Sequence, residues 1–195
     1  MKAKTATVSF DDERLMLVDS NDVVTGYETK LTTHLGKGLL HRAFSVFIIN
    51  ERSQVALQQR SRHKPLWPCY WANSCCSHPR EGETTINAAY RRLKEELGIR
   101  TKLKYLYKFE YRSEYKNIGT EHEVCSVFVG YIDSNTDLDP NETEVENISW
   151  IGWEEIKRWI DDPNIPTTPW LGLEWSYLNQ NHRDVISDLQ KNLIL

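Results

Sequence analysis

Long apolar stretches are missing from this chain. Its longest apolar run, Ala43 to Ile49, is broken by Ser45, far short of the ~18 residues that read as a membrane span. The opening residues MKAKTATVSFDDER hold no apolar core of a secretory signal. Positive charge is not in excess either: 24 Lys and Arg stand against 28 Asp and Glu, a net charge of −4. A chain whose main partner is nucleic acid usually needs a strongly basic surface. Cysteine is sparse. Cys69, Cys75, Cys76 and Cys125 form no CxxC pair, and the adjacent Cys75 and Cys76 are poorly placed to bridge each other. Repeats, linkers and low-complexity tracts are also absent. Together these gaps predict one soluble domain over residues 1–195, monomeric and cytoplasmic, with reduced thiols. Its partner is expected to be a small molecule, with no nucleic acid and no membrane.

The remaining pattern alternates strand and turn signals. Leu15 to Val18 and Val23 to Tyr27 flank the turn-rich Asp19-Ser20-Asn21-Asp22 and predict an N-terminal hairpin. His41 to Ile49 and Val55 to Gln59 read as strands rich in β-branched and aromatic residues. A loop, HKPLWPCYW, leads to a short strand toward Cys75. Thr84 to Leu97 is the clearest helix, capped by Thr84 or Thr85 and ended by Gly98, with Ile86, Ala89, Tyr90, Leu93 and Leu97 at helical spacing. Tyr105 to Tyr111, Glu121 to Tyr131 and Asn147 to Ile151 read as strands. Trp153 to Ile160 and Leu173 to Asn192 read as helices beyond the punctuation of Pro163, Pro166 and Pro169. The predicted class is α+β: a mixed sheet packed with helices, a hairpin before it and helices after it.

Within the clear helix, Arg92 and Glu96 stand one turn apart at a margin of the apolar stripe, while Glu95 points away. Alone, RRLKEELG reads as a solvated face of ion pairs. With Glu83 ahead of it and seven residues between Glu83 and Arg91, however, the segment resembles the Nudix box. In that family, carboxylates on a loop and helix bring divalent metal to a diphosphate, and hard oxygen ligands suit Mg²⁺. Two positions depart from the box: Ser77 stands where its leading glycine falls, and Arg92 where a metal-binding glutamate follows the arginine. Exchanging a carboxylate for a cation suits a diphosphate that is held and not cut.

Three further segments carry chemistry that Nudix hydrolysis does not need. They are His34 with His41, Asn73 to Pro79 (NSCCSHP) and Glu121 to Cys125 (EHEVC). On a strand, Glu121 and Glu123 share a face ~7 Å apart while His122 turns away. Singly, each has a plain explanation as a surface histidine, a small buried thiol or an exposed sheet face. Together, the run from His34 to Trp175 resembles type I isopentenyl-diphosphate isomerases, through NSxCxHP and ExEVC, over about three quarters of the chain.

The resemblance implies catalytic roles for Cys76 and Glu123, with Tyr111 assisting Glu123. It implies an internal metal held by His34, His41, His78, Glu121 and Glu123, a set compatible with Mn²⁺, Zn²⁺ or Fe²⁺. Glu96 would be linked to a separate Mg²⁺ that arrives with the diphosphate. Lys30, Arg60, Lys64 and Arg92 would contact that diphosphate, Trp175 would cover the hydrocarbon, and Trp67 would contribute to the substrate cavity. The implied reaction converts isopentenyl to dimethylallyl diphosphate. Glu123 with Tyr111 would deliver a proton and Cys76 remove one, with a tertiary carbocation between. Two other readings are a Nudix pyrophosphohydrolase acting on a nucleoside diphosphate derivative and a metal-binding scaffold without turnover. His63 and His182 are read as surface residues, and Trp150, Trp153 and Trp159 as core.

Overall fold

A computed structural model describes residues 5–184. Strands β1 (Arg14–Val18) and β2 (Val24–Thr29) form the N-terminal hairpin, antiparallel, with Leu15 opposite Glu28. A five-residue helix, α1 (Lys30–His34), follows the hairpin, where the sequence pattern marked no element. Thr29 caps it, its side chain accepting from the Thr32 amide, and the Thr33 hydroxyl donates to the Thr29 carbonyl at 2.8 Å.

Strand β3 (His41–Ile49) is the spine. It pairs antiparallel with β1 and β6 (Cys75–Ser77) and parallel with β8 (Gly119–Tyr131), which pairs in turn with β7 (Leu103–Tyr115). Strand β4 (Gln54–Arg60) meets the end of β3 and carries β5 (Trp71–Ala72) and β9 (Val145–Gly152). Strands β7, β8 and β9 run longer than the apolar alternation indicated. Their ends are held by the backbone ladder, which pairs as far as Tyr115 with Gly119 whatever the side chains.

Alternation along β3 sorts the core onto two faces. Phe44, Val46 and Ile48 pack with Ala88, Ala89, Leu93 and Leu97 of α2 (Thr85–Leu97). This helix keeps its expected ends, with Thr84 accepting from the Asn87 amide and Gly98 left-handed at φ +74°. Phe47 and Ile49 pack on the other face with Ile156, Leu171, Trp175 and Leu178, from α3 (Ile156–Asp161) and α4 (Pro169–Asn181). Helix α4 starts four residues before the expected Leu173, because Pro169 takes the first helical turn, where its missing N–H costs nothing. The expected extension to Asn192 lies partly outside the described residues. Among the described residues, no helix is long and apolar enough to cross a membrane.

Candidate active site

The odd-numbered face of β3 and β8 carries the polar cluster. Their parallel register sets His41 beside Glu123 and Ala43 beside Cys125. Glu121 and Glu123 therefore share that face, as expected, while His122 turns outward to Glu110 at 3.3 Å. Strand β6 brings His78 to the cluster and α1 brings His34. The start of β8 passes so close to α1 that a Cβ at Gly119 would lie 2.7 Å from the His34 carbonyl oxygen.

His34 Nε2 lies 2.9 Å from Glu121 Oε2, and His78 Nε2 lies 2.9 Å from Glu123 Oε1. His41 Nε2 stands 3.6 Å from the same Glu123 oxygen, buried and without a hydrogen-bond partner. One ligand atom from each of these five residues falls within 4.8 Å of the others. The far sides of two rings are fixed. Nδ1 of His34 reaches the Lys30 carbonyl at 2.7 Å, and Nδ1 of His41 reaches the Leu39 carbonyl at 2.8 Å. A carbonyl only accepts, so these Nδ1 atoms carry protons and each ring turns its Nε2 inward. Against the cost of burial, Glu121 beside His34 raises the affinity of that imidazole for a second proton. Burial, with His41 and His34 alongside, pushes His78 well below the usual histidine range and favours its neutral form. Burial opposes charge on Glu121 and Glu123 as well, yet the nearby imidazoles keep both below the usual carboxylate range. Inward-facing imidazole nitrogens, two carboxylates held below their usual range and an orphaned buried Nε2 form a donor set that fits a divalent cation, which would replace the protons on those nitrogens.

Beside the cluster lies a cavity of about 210 Å³. Lys30, Lys64, Arg60, Cys76, Tyr111, Glu123 and Trp170 are among its lining residues. Tyr111 Oη donates to Glu123 Oε2 at 2.8 Å. Strand alternation separates the two adjacent cysteines: Cys75 is fully buried against the α2 face, and Cys76 lines the cavity. Burial pushes the Cys76 thiol up to about 12 even though the Arg60 guanidinium works to lower it. Arg60 Nη1 lies 3.8 Å from Cys76 Sγ, and its Nε and Nη2 donate to the Trp67 and Leu66 carbonyls. The Arg60 guanidinium carbon also sits 5.3 Å from the Trp170 ring centroid. One residue thus ties the thiol, the basic loop and the aromatic wall together.

Four expected placements differ. Trp175 does not line the cavity; it packs in the core on Phe47 and Trp153, with ring centroids 6.1 and 4.2 Å away. The indole in the wall is Trp170, five residues earlier on α4, and Trp67 stands behind it at 5.1 Å. Arg92 is buried and does not reach the cavity. It is spent on Glu96 at 2.6 Å, Glu144 at 2.7 Å and the Val8 carbonyl at 3.1 Å. Glu96 accepts from Arg92 and from Gln58, apart from the five-residue cluster. A buried guanidinium demands acceptors, and the nearest carboxylates lie on its own helix and in the turn before β9.

His63 is exposed as expected, whereas His182 stacks on Tyr107 at 5.3 Å. Trp153 is buried, and Trp150 and Trp159 pack at the core margin. Sequence reasoning overlooked Trp170, for which the adjacent Pro169 at the helix start was the available signal. It also passed over Glu144 and Glu174. Glu174 is fully buried on α4, with Oε1 3.7 Å from Cys125 Sγ and Oε2 without a partner. Burial pushes its carboxyl up to about 8.

Comparison with known proteins gives this arrangement its relatives. The NUDIX domain family matches residues 39–171. A solved structure from Deinococcus radiodurans, DR0079, superposes with a TM-score of 0.67 at 20% identity, covering 88% of this chain and 100% of that one. Isopentenyl-diphosphate Delta-isomerase 1 of Photorhabdus laumondii is 45% identical over 174 residues, 88% of this chain and 98% of its own length. Isopentenyl-diphosphate Delta-isomerase 1 of Mesocricetus auratus is 35% identical, covering 92% of this chain and 90% of that protein. With a NUDIX fold and relatives matched over nearly their whole length, the chain belongs to the isopentenyl-diphosphate Delta-isomerase family.

Proposed function

We propose that the chain interconverts isopentenyl diphosphate and dimethylallyl diphosphate by moving one proton on and another off the five-carbon skeleton. One observation carries this reading. A single cavity is lined by a thiol, by a tyrosine-bonded carboxyl group and by Lys30, Lys64 and Arg60. Lysine and arginine in the lining suit an anionic tail, and Leu31, Leu35, Leu66 and Ile118 suit hydrocarbon.

The shared proton must first pass from the Cys76 thiol to Glu123. Glu123, assisted by the Tyr111 hydroxyl, then delivers a proton to the alkene, and the Cys76 thiolate takes one from the carbon next to the double bond. The intermediate is a tertiary carbocation. In the reverse direction the two exchange roles, so between them they carry one transferable proton. Arg60 beside Cys76 Sγ lowers the cost of the thiolate. General acid–base catalysis supplies ~10²–10⁴-fold, and a desolvated indole over a cation adds about 2 kcal/mol. Trp170 is placed for the second effect, and it offers no lone pair to trap the cation. A divalent cation held by His34, His41, His78, Glu121 and Glu123 would withdraw electron density from Glu123 and strengthen it as an acid. Lys30 and Lys64 hold the tail. Orienting the alkene between two fixed groups is worth ~7–11 kcal/mol at best.

A pyrophosphohydrolase is disfavoured, because Arg92 stands at a box position for a metal-binding carboxylate and engages Glu96 itself. The test is incubation with isopentenyl diphosphate and Mg²⁺ in deuterated water. Deuterium on carbon of an allylic product with the diphosphate intact is expected. Release of phosphate or pyrophosphate without isomerisation would favour the hydrolase, and no turnover by metal-loaded protein would favour the scaffold.

A further inference from the structure

Glu144 closes the turn before β9, one residue from the strand. Its amide donates to the Asn141 carbonyl at 2.9 Å, and its carbonyl accepts from the Ser61 amide at 2.9 Å. The Ser61 hydroxyl donates to the Glu142 carbonyl at 2.8 Å, and the Lys64 amide donates to the Ser61 carbonyl at 3.1 Å. Two loops distant in sequence are thereby clamped, and the Glu144 and Lys64 side chains meet across the clamp.

The Glu144 carboxylate is 4% exposed. Its Oε2 accepts from both Arg92 Nη2 at 2.7 Å and Lys64 Nζ. Burial opposes its charge, but Lys64 and Arg92 outweigh burial and hold it at about 2, ionised at neutral pH. Lys64 lines the cavity and Glu144 does not. An ammonium has three donors, and Glu144 takes one of those on Lys64. Arg92 is matched by Glu95, Glu96 and Glu144, which leaves the remaining donors of Lys30 and Lys64 for an incoming anion.

We propose that Glu144 is a positioning residue for the substrate's diphosphate, holding the Lys64 side chain in place at the cavity so that binding need not order a loose side chain. The inference rests on the isomerase reading. A lysine already fixed in its binding position loses less rotamer freedom on complex formation. Because one carboxylate oxygen serves both Arg92 and Lys64, the helix that bears Arg92 and the loop that bears Lys64 are set relative to each other.

The test compares wild type, Glu144→Gln and Glu144→Asp in KM and kcat for isopentenyl diphosphate, and in calorimetric Kd for inorganic pyrophosphate with Mg²⁺. Glu144→Gln is expected to raise KM and the pyrophosphate Kd together, about 10-fold, with kcat changing far less. Glu144→Asp, which keeps the charge, is expected to recover part of the loss. In a Lys64→Met background, Glu144→Gln should add little to Kd, because the residue acts through Lys64. An unchanged or lower KM would make Glu144 a bystander or a competitor for Lys64 and overturn the proposal, as would full additivity in the double variant. Wild-type protein that neither isomerises nor binds pyrophosphate would instead defeat the isomerase reading.

Discussion

Replacing Glu174 with glutamine is expected to change how stability responds to pH. The carboxyl is fully buried, and burial moves it from 4.5 to about 8. Between those values the folded protein keeps a proton that the unfolded chain has released, so stability falls as pH rises. The contribution is complete below about 4.5, declines through the neutral range and is lost once pH has passed about 8. At about 1.4 kcal/mol per pKa unit, the ceiling is about 5 kcal/mol. Partial relaxation around an ionised carboxylate reduces the expected figure to about 2–3 kcal/mol. Glutamine matches the neutral acid in shape and cannot ionise. Urea unfolding of both proteins from about pH 5 to about pH 9 isolates the effect, since every other titrating group is shared. Wild type should lose about 2–3 kcal/mol relative to the variant across that range. Stability curves that run parallel would refute the reasoning.

Cys76→Ala should abolish isomerisation, whereas Cys75→Ala should keep most turnover and lose stability; steady-state rates and urea midpoints separate them, and the opposite pattern would mean the wrong thiol has been assigned. Trp170→Leu should lower kcat about 30-fold, equivalent to about 2 kcal/mol of cation stabilisation. Trp175→Leu should instead cost mainly stability, and selective loss of turnover at Trp175 would reverse these roles. Chelator-treated protein should gain about 2.7 kcal/mol in stability when Mn²⁺ or Zn²⁺ is supplied at a hundred times its Kd. That gain should shrink sharply in His41→Gln, and its absence from wild type would remove the five-residue cluster from metal binding.

The helix from Thr85 to Leu97 was legible because cap, stripe and terminal glycine agree. The shared face of Glu121 and Glu123 followed from strand period alone. The convergence of His34, His41 and His78 was not legible from spacing, because it depends on the antiparallel pairing of β6 with β3 and on α1 lying against the start of β8; only the family resemblance grouped them. Trp170 and Trp175 show the limit of that resemblance. Both indoles are buried on α4, and choosing the cavity-facing one requires the helix phase, which is set by a start at Pro169. Arg92 illustrates another limit. Its wheel position was read correctly, but a partner at Glu144 on a remote turn decides what its guanidinium touches.

The parallel pairing of β3 with β8 has a consequence for biogenesis. Residues 34, 41, 78, 121 and 123 meet only after that ladder closes, and contacts of such long sequence separation form late and slowly. A ribosome-bound chain not yet extended past Glu123 has no complete nest for an ion. Cation uptake therefore belongs among the final events of maturation, and truncated translation products should not sequester the metal.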